Sequence, residues 1–491
     1  MYYNDLVKKE FNYIKSFYKS YSSTKDFKKG IRQLELSFDF SKKTYFGKKR
    51  YTGEPWILHT LRSAKHLAHL ELDYVTLSVG LLHDVMDFGV KQEEIQKVFD
   101  KEIYSLYLSL LNVKKIKSKY ITNSKSNLVD LSNLMLLASS DMRAITIRLV
   151  EKLEALKTSY ILPKAQQQKE LNTALNFYAP FSYQIGLSYL KTEFEDTAFR
   201  LTKPVEYKKV LHELKRHPLY NDDSLYLSYL ELKTLLLSKG IKFKKIFYRK
   251  KTPYSFYKKS KSYIKKGLST SQIYDRIAFR VITNSVEDCY KVLDILHKRY
   301  NFLLEYFDDY ISKPKPNGYK SLQTILELKP NAYCEVQVKT EKMHQTSEFG
   351  TASHVYYKLY GSSTLVPDKQ KLDMLKSLLT WRENLIKKGK ILNTSQAKNL
   401  IYVFTPKGDI IELPKGATCI DFAYAIHTNI GLKAVRSYVN NKLSPLNMVL
   451  KNGDVVEIQI DKSKKMPNKD WLAFVKTPMA KRQIKKYLRR I

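Results

Sequence analysis

Residues 332–340 alternate: Cys334, Val336 and Val338 share one parity, and Glu335, Gln337 and Lys339 share the other. A strand with one packed face and one polar face has this pattern. A second alternating run, IYDRIAFRVIT at 273–283, sets Ile277, Phe279 and Val281 against Ala278, Arg280 and Ile282, with Asp275 at its start. It predicts a central strand. Between the two lie a helical stretch, SVEDCYKVLDILHKRY, an acidic cluster at 305–309 and a Pro/Gly/Asn turn from Lys313 to Gly318 that cannot be helical. The β-α-β-β order, closed by a helix from TEKMHQTSEFG onward, predicts a mixed α/β domain ending near 362. Alternation by itself also describes an ordinary solvated strand face.

On either side the pattern changes. Residues 1–200 carry apolar positions at helical spacing, with a connector around 172–213 whose helices break at Pro180 and Pro204. In the helix DMRAITIRLVEKLEAL the apolar stripe Met142, Ile145, Leu149, Leu153 and Leu156 places Glu151 and Glu154 on the opposite side. After a lysine-rich helical linker, short strands with turns at Pro406–Asp409 and Asn452–Asp454 and one helix suggest a compact β-grasp-like module. The expected fold is multidomain α+β: an all-α domain at 1–200, a mixed α/β domain at 201–365, a linker at 366–398, the small module at 399–462 and a basic helix at 463–491.

Length agrees, since 491 residues exceed one hydrophobic core; three domains are expected, with two or four as alternatives. Hydrophobic residues at 43% and aromatics at 13% supply real cores. A formal charge of +38 points to polyanionic partners such as nucleotides, RNA or the ribosome, although a lysine-rich composition accounts for part of it. Cys289, Cys334 and Cys419 are too far apart in sequence for a metal knuckle or redox pair, so a reducing, cytoplasmic location without disulfides is expected. No signal peptide and no run near ~20 apolar residues is found, so no membrane partner is expected.

Two clusters carry chemistry. His59, His83 and Asp84 offer two imidazoles and a carboxylate, a set suited to a divalent cation that activates water, and also compatible with core histidines. A fourth ligand would come from Glu151, which lines a cleft or is wet. The second cluster runs from Lys244 to Lys266, where ten of 23 residues are Lys or Arg against about four expected at the chain-wide frequency. Tyrosines and serines interleave with them and add donors and stacking faces for phosphates and bases; a solvated basic helix is the alternative.

The motifs YSFYKK, YDRIAFRVIT, PKPNGYKSLQT, EVQVKT and MHQTSEFG occur in the order and spacing of the RelA/SpoT-type alarmone enzymes, which make or degrade (p)ppGpp. The chain resembles that family over most of its length, in a form truncated after the TGS domain. The resemblance implies an HD-type hydrolase domain, a nucleotidyltransferase-like synthetase domain and a TGS domain. It also implies transfer of pyrophosphate from ATP to the 3′-hydroxyl of GDP or GTP. Asp275 would hold Mg²⁺, and Glu335 would act as base or assist the metal. Arg249, Lys251, Ser255 and Lys259 match ATP-phosphate positions. Tyr319 would stack on the guanine, with Lys315, Asn317 and Gln323 alongside, although the family usually has His at position 323. His427 in FAYAIHTNIG matches the residue that contacts uncharged tRNA, a capping histidine being the other reading; ribosome coupling would be altered or lost.

The hydrolase half departs further. Arg50, His59, His83 and Asp84 match its motifs, but the Glu-Asp pair after the HD is Asp87-Phe88, the later metal-binding Asp is Glu151, and a helix Asn is Ala155. Phe307, Asp308 and Asp309 form the acidic version of a segment that is basic in bifunctional members. The expectation is an active synthetase with a degenerate hydrolase domain, in which Mn²⁺ would be held, if at all, by His59, His83, Asp84 and Glu151. The alternatives are a bifunctional enzyme and a non-catalytic tRNA- or ribosome-binding regulator.

Overall fold

The computed structural model describes residues 2–22, 24–120, 141–315, 319–344, 400–406, 409–461, 463 and 466–488. Two compact units form, one from residues 152–355 and the other from 1–151 together with 356–491. The expected helix beyond Met343–His344, the linker 366–398, and Asn317 lie outside the described residues.

Residues 1–151 are helical: α1 (Tyr2–Tyr21), α2 (Thr24–Thr44), α3 (Trp56–His69), α4 (Tyr74–Leu82), α5 (Gln92–Val98), α6 (Lys101–Tyr120) and the start of α7 (Met142–Lys157). All nine residues of α4 are buried, and α2, α3 and α6 pack against it. Its start is fixed by the Asp73 carboxylate, which accepts from Thr76 N at 2.8 Å, a cap worth about 1 kcal/mol. Its end delivers His83 and Asp84.

On α7 Glu154, opposite the apolar stripe, is nevertheless buried: it is 1% exposed, and Lys157 donates to its carboxylate from 2.9 Å. This helix buries most of its circumference, so a single apolar stripe does not describe it.

From 152 onward come α8 (Lys164–Thr173), α9 (Ala179–Gln184), α10 (Ser188–Thr202), α11 (Pro204–Lys215) and α12 (Asp222–Ser238). Pro204 starts α11, as expected, but Pro180 breaks nothing: a π-helical turn at Ala174–Tyr178 joins α8 to α9. That turn supplies the slack a proline ring needs against the preceding carbonyls.

The sheet of this unit has the order β1-β2-β6-β5-β3, with β4 also on β5. Its strands are β1 (Phe243–Lys250), β2 (Ile277–Thr283), β3 (Asn301–Phe302), β4 (Asp308–Asp309), β5 (Leu322–Lys329) and β6 (Ala332–Thr340). β2 and β6 are parallel, and the other pairs are antiparallel. The helices between the strands are α13 (Pro253–Lys265) and α14 (Val286–Arg299). Ile277, Phe279, Val281, Leu322, Leu326, Cys334, Val336 and Val338 cover one sheet face and join Leu225, Leu232 and Leu236 of α12 and Val292 and Leu296 of α14 in a single core. The opposite parities carry the polar side chains, with Ala278, Ile282 and Ile325 buried among them. Residues 243–250 are thus an edge strand and not the basic helix considered as an alternative; only 253–265 is helical.

The C-terminal module contains β7 (Leu400–Phe404), β8 (Ile410–Pro414), β9 (Ala434–Val439), β10 (Lys442–Ser444) and β11 (Val456–Ile460), with two helices where one was expected: α15 (Cys419–Ile426) and α16 (Thr428–Lys433). The basic terminal helix α17 is shorter than 463–491, covering Pro478–Leu488 after a 3₁₀ turn at Lys469–Ala473. It is tied down by Asp421, fully buried on α15, whose carboxylate accepts from Thr418 N and Oγ1 and from Lys476 N, Thr477 N and Thr477 Oγ1 at 2.7–3.1 Å.

Candidate functional site

The open face of the sheet gathers the predicted residues. Register places Ala278 beside Glu335, Arg280 beside Gln337 and Gln337 beside Gln323, while Arg249 pairs with Ala278 and Phe247 with Arg280. Residues opposite one another in adjacent strands share a face. Arg249, Arg280, Glu335, Gln337 and Gln323 therefore share one face across four strands, Arg249 and Glu335 in one row and Arg280, Gln337 and Gln323 in the next. Arg280 Nε donates to Gln337 Oε1 at 3.4 Å, and Gln337 Nε2 donates to Glu335 Oε2 at 2.6 Å. That chain orients the carboxylate. Arg280 and Gln337 were not among the expected site residues; their shared parity with Glu335 was the available signal.

Tyr319 stands next to these residues. It precedes β5, and Gln323 Nε2 donates to its hydroxyl at 2.8 Å. Lys339 is 1% exposed, with Nζ 3.3 Å from that hydroxyl and 4.7 Å from the ring centroid. Lys315, on the far side of the turn that its N–H closes onto Tyr319 O, lies 5.5 Å from the same ring and 4.2 Å from that of Tyr310. Burial holds the Tyr319 phenol above its ordinary pKa, against hydrogen bonds with Ser321 and Gln323 that pull it down. Asp308 pairs with Gln323 at the rim, whereas Asp309 is committed to a turn, accepting from Ile311 N, Ser312 N and Tyr290 OH.

At the start of β2 sits Asp275. Lys251 N donates to Arg276 O at 2.7 Å, which extends the β1–β2 pairing and sets the two side chains together. Lys251 Nζ donates to Asp275 Oδ2 at 2.6 Å, and Lys259 from α13 lies 3.0 Å from Oδ1. Burial would raise the Asp275 pKa, but the two ammonium groups hold it below the usual carboxylate range; burial pulls Lys251 below the usual lysine value. Asp275 Oδ1 is buried with the Lys259 ammonium beside it, so a magnesium ion arriving with a nucleotide would have to share this carboxylate with, or displace, the two ammonium groups. Ser255, in the first turn of α13, accepts from Thr252 Oγ1 at 3.1 Å, and Arg249 is exposed.

The second cluster lies at the end of α4. His83 Nδ1 donates to Gly80 O at 2.7 Å, which turns Nε2 toward His59 Nε2 at 3.2 Å and Asp84 Oδ2 at 3.3 Å. Ligand atoms of His59, His83 and Asp84 lie within 4.8 Å of one another, and in donor chemistry they fit a divalent transition metal. Burial alone would lower the His83 pKa, but Asp84 raises it; burial alone would raise that of Asp84, but His83, Lys114 and His59 hold it well below the carboxylate range.

The acid side of this pocket does not fit so simply. Lys114 Nζ donates to Asp84 Oδ1 and to His83 O, both at 2.7 Å, and lies 4.0 Å from Glu151 Oε2. Glu151 is also paired with Arg148. Despite burial, Arg148 and then Lys114 bring the Glu151 pKa down to about 2. Phe88 packs edge-on to Trp56 and Tyr45, with centroids 4.8 and 5.4 Å apart, so an aromatic side chain stands where the resemblance implies an acid. Asp87 is largely exposed, Arg50 Nη1 lies 3.6 Å from Glu54, and Ala155 is exposed.

In the C-terminal module, His427 caps α16: its Nδ1 accepts from Asn429 N at 3.1 Å, and the ring is exposed.

Three family models match the chain: the HD domain over residues 37–188, the region found in RelA/SpoT proteins over 248–362 and the TGS domain over 401–460. A GTP pyrophosphokinase of Myxococcus xanthus is 33% identical over 93% of this chain and 60% of its own length. A guanosine-3′,5′-bis(diphosphate) 3′-pyrophosphohydrolase of Spiroplasma citri is 33% identical over 94% and 63%. One of the same name from Borreliella burgdorferi is 32% identical over 99% and 71%. The chain spans about three-fifths of the length of most of these relatives. Identity of this extent, with the three domain matches in one order, places the chain in the RelA/SpoT family of (p)ppGpp-metabolising proteins.

Proposed function

We propose that this chain synthesises (p)ppGpp, transferring pyrophosphate from ATP to the 3′-hydroxyl of GDP or GTP, and that its HD domain hydrolyses the product weakly or not at all. The observation that carries the synthesis is the gathering of Arg249, Arg280, Gln323, Glu335 and Gln337 on one sheet face, with Tyr319 bonded to Gln323 at one end.

Arg249, Lys251, Ser255 and Lys259 bind the ATP phosphates. Tyr319 stacks on the guanine, with Lys315, Asn317 and Gln323 beside it. Asp275 would hold Mg²⁺, which would supply charge neutralisation on the phosphates. The 3′-oxygen bonds to the β-phosphorus, the bond from that phosphorus to the α–β bridging oxygen breaks, AMP departs, and Glu335 takes the hydroxyl proton. Gln337 and Arg280 hold Glu335 for that step. Purified protein incubated with ATP, GDP and Mg²⁺ should yield ppGpp, and a Glu335→Gln variant should not; no product, or equal product from both, overturns the assignment.

A bifunctional enzyme is the second reading, favoured by the convergence of His59, His83 and Asp84. Mn²⁺-dependent release of pyrophosphate from ppGpp at a rate comparable to synthesis would establish it. The domain division is proposed as above: 1–200, 201–365, 399–462 and a basic end. The exposed His427 ring and the net positive charge support uncharged tRNA or the ribosome as a partner of the C-terminal module. No helix among the described residues is long and apolar enough to cross a membrane. Three free buried cysteines fit a reducing cytoplasm.

A further inference from the structure

The HD pocket contains a charged group that was not among the expected site residues. Lys114 enters from α6, about thirty residues along the chain from Asp84, and is itself mostly buried, its side chain 18% exposed. Its ammonium takes one oxygen of Asp84 and the carbonyl of His83, and faces Asp87 at 3.9 Å and Glu151 at 4.0 Å. Two buried acids, Asp84 and Glu151, are thus already balanced by two cations, Lys114 and Arg148. A divalent ion set among His59, His83 and Asp84 would share the Asp84 carboxylate with an ammonium and bring two further positive charges up against Lys114. Like charges at such separations in a poorly solvated site repel strongly.

We propose that Lys114 is the resident cation of the HD pocket, occupying its carboxylate side so that the site stands without a divalent metal. Asp84 Oδ1 and the His83 carbonyl are its ligands, and Glu151 and Asp87 form its outer ring of charge. The two imidazoles keep a metal-binding arrangement because His83 is set by Gly80 O, a contact independent of any ion. The pocket is then a metal site whose affinity a single side chain has removed. This rests on reading the HD domain as weak or silent and is independent of synthesis on the sheet face.

The test is Mn²⁺ binding to the full chain with no nucleotide present, by equilibrium dialysis with the bound ion read by electron paramagnetic resonance. Lys114→Met keeps the length and apolar stem of the side chain and removes the charge. The expected result is roughly 10- to 100-fold tighter Mn²⁺ binding by Lys114→Met than by the native chain, at one ion per chain and abolished by adding His83→Ala. The native chain should show no change in Tm between EDTA and Mn²⁺. A native chain that holds one Mn²⁺, lost on His83→Ala, overturns the proposal whatever the variant does. So does a folded Lys114→Met chain that binds no more tightly than the native one. If circular dichroism shows that Lys114→Met does not fold, Lys114→Gln takes its place under the same criteria.

Discussion

The buried Lys339 and the half-buried Tyr319 form a cation–aromatic pair: the ammonium is 4.7 Å from the ring centroid and 3.3 Å from the phenol oxygen. The ring is held edge and face by Lys339 and Gln323, so its plane is set before any base arrives. A preset ring loses little entropy on stacking, which is worth about 1–3 kcal/mol per base. Tyr319→Ala should therefore raise the KM for GDP by roughly 10- to 100-fold in a steady-state synthesis assay. Tyr319→Phe keeps the face and should cost less than about tenfold. Equal losses in the two variants would mean that the hydroxyl, not the stacking face, is what matters.

Lys251 and Asp275 predict a different signature. Lys251→Met leaves a buried carboxylate with only Lys259 beside it, and synthesis should fall by about 10²-fold or more, mainly in kcat. Asp275→Asn should lose activity at least as severely and should respond little to added Mg²⁺. A magnesium titration of the three proteins separates the roles, and a full rescue of Asp275→Asn by Mg²⁺ would remove Asp275 from the metal.

Asp196 offers a test in stability. Its carboxylate accepts from Tyr254 N at 2.8 Å at the start of α13, yet burial lifts its pKa to about 6. The folded chain then holds this proton more tightly than the unfolded one. The stabilisation is present below the unfolded value near 4 and is lost as pH rises through about 6. Two units correspond to about 3 kcal/mol at most, reduced by partial exposure to ~1–2 kcal/mol. Asp196→Asn should raise the urea midpoint at pH 8 and change it little at pH 4; a gain that is equal at both values would rule out titration as the cause.

Asp421 carries the last prediction. Asp421→Ala strands buried donors on Thr418, Lys476 and Thr477, at a cost of about 3 kcal/mol or more. Urea unfolding followed by the fluorescence of Trp471, which is 5% exposed, should shift accordingly, and limited proteolysis should release the α17 end first. Unchanged protection of α17 would show that its apolar contacts alone hold it.

The strands β2 and β6 were legible because their alternation is clean and the core covers one parity. β1 was not, since an edge strand rich in Lys244, Lys245 and Lys250 hides its period behind charge. The burial of Glu154 escaped a stripe argument because its partner, Lys157, lies on the same helix and lets a carboxylate enter an apolar environment. Lys114 was invisible for a simpler reason: residues about thirty apart in sequence meet only through the packing of α4 and α6. The convergence of His59 with His83 and Asp84 was legible as a residue set, but not the hydrogen bond to Gly80 that aims His83.

The polar face also limits how this sheet can change. Because side chains alternate with a period of two, inserting one residue inside β2, β5 or β6 would exchange the reactive face for the apolar one and send Glu335 or Arg280 into the core. Length variation is thus confined to the connections, such as the turn at Asn331, whose left-handed backbone (φ 61°) already closes the β5–β6 hairpin with the Glu327 side chain accepting from its N–H. Within the strands, new specificity has to come by substitution in place.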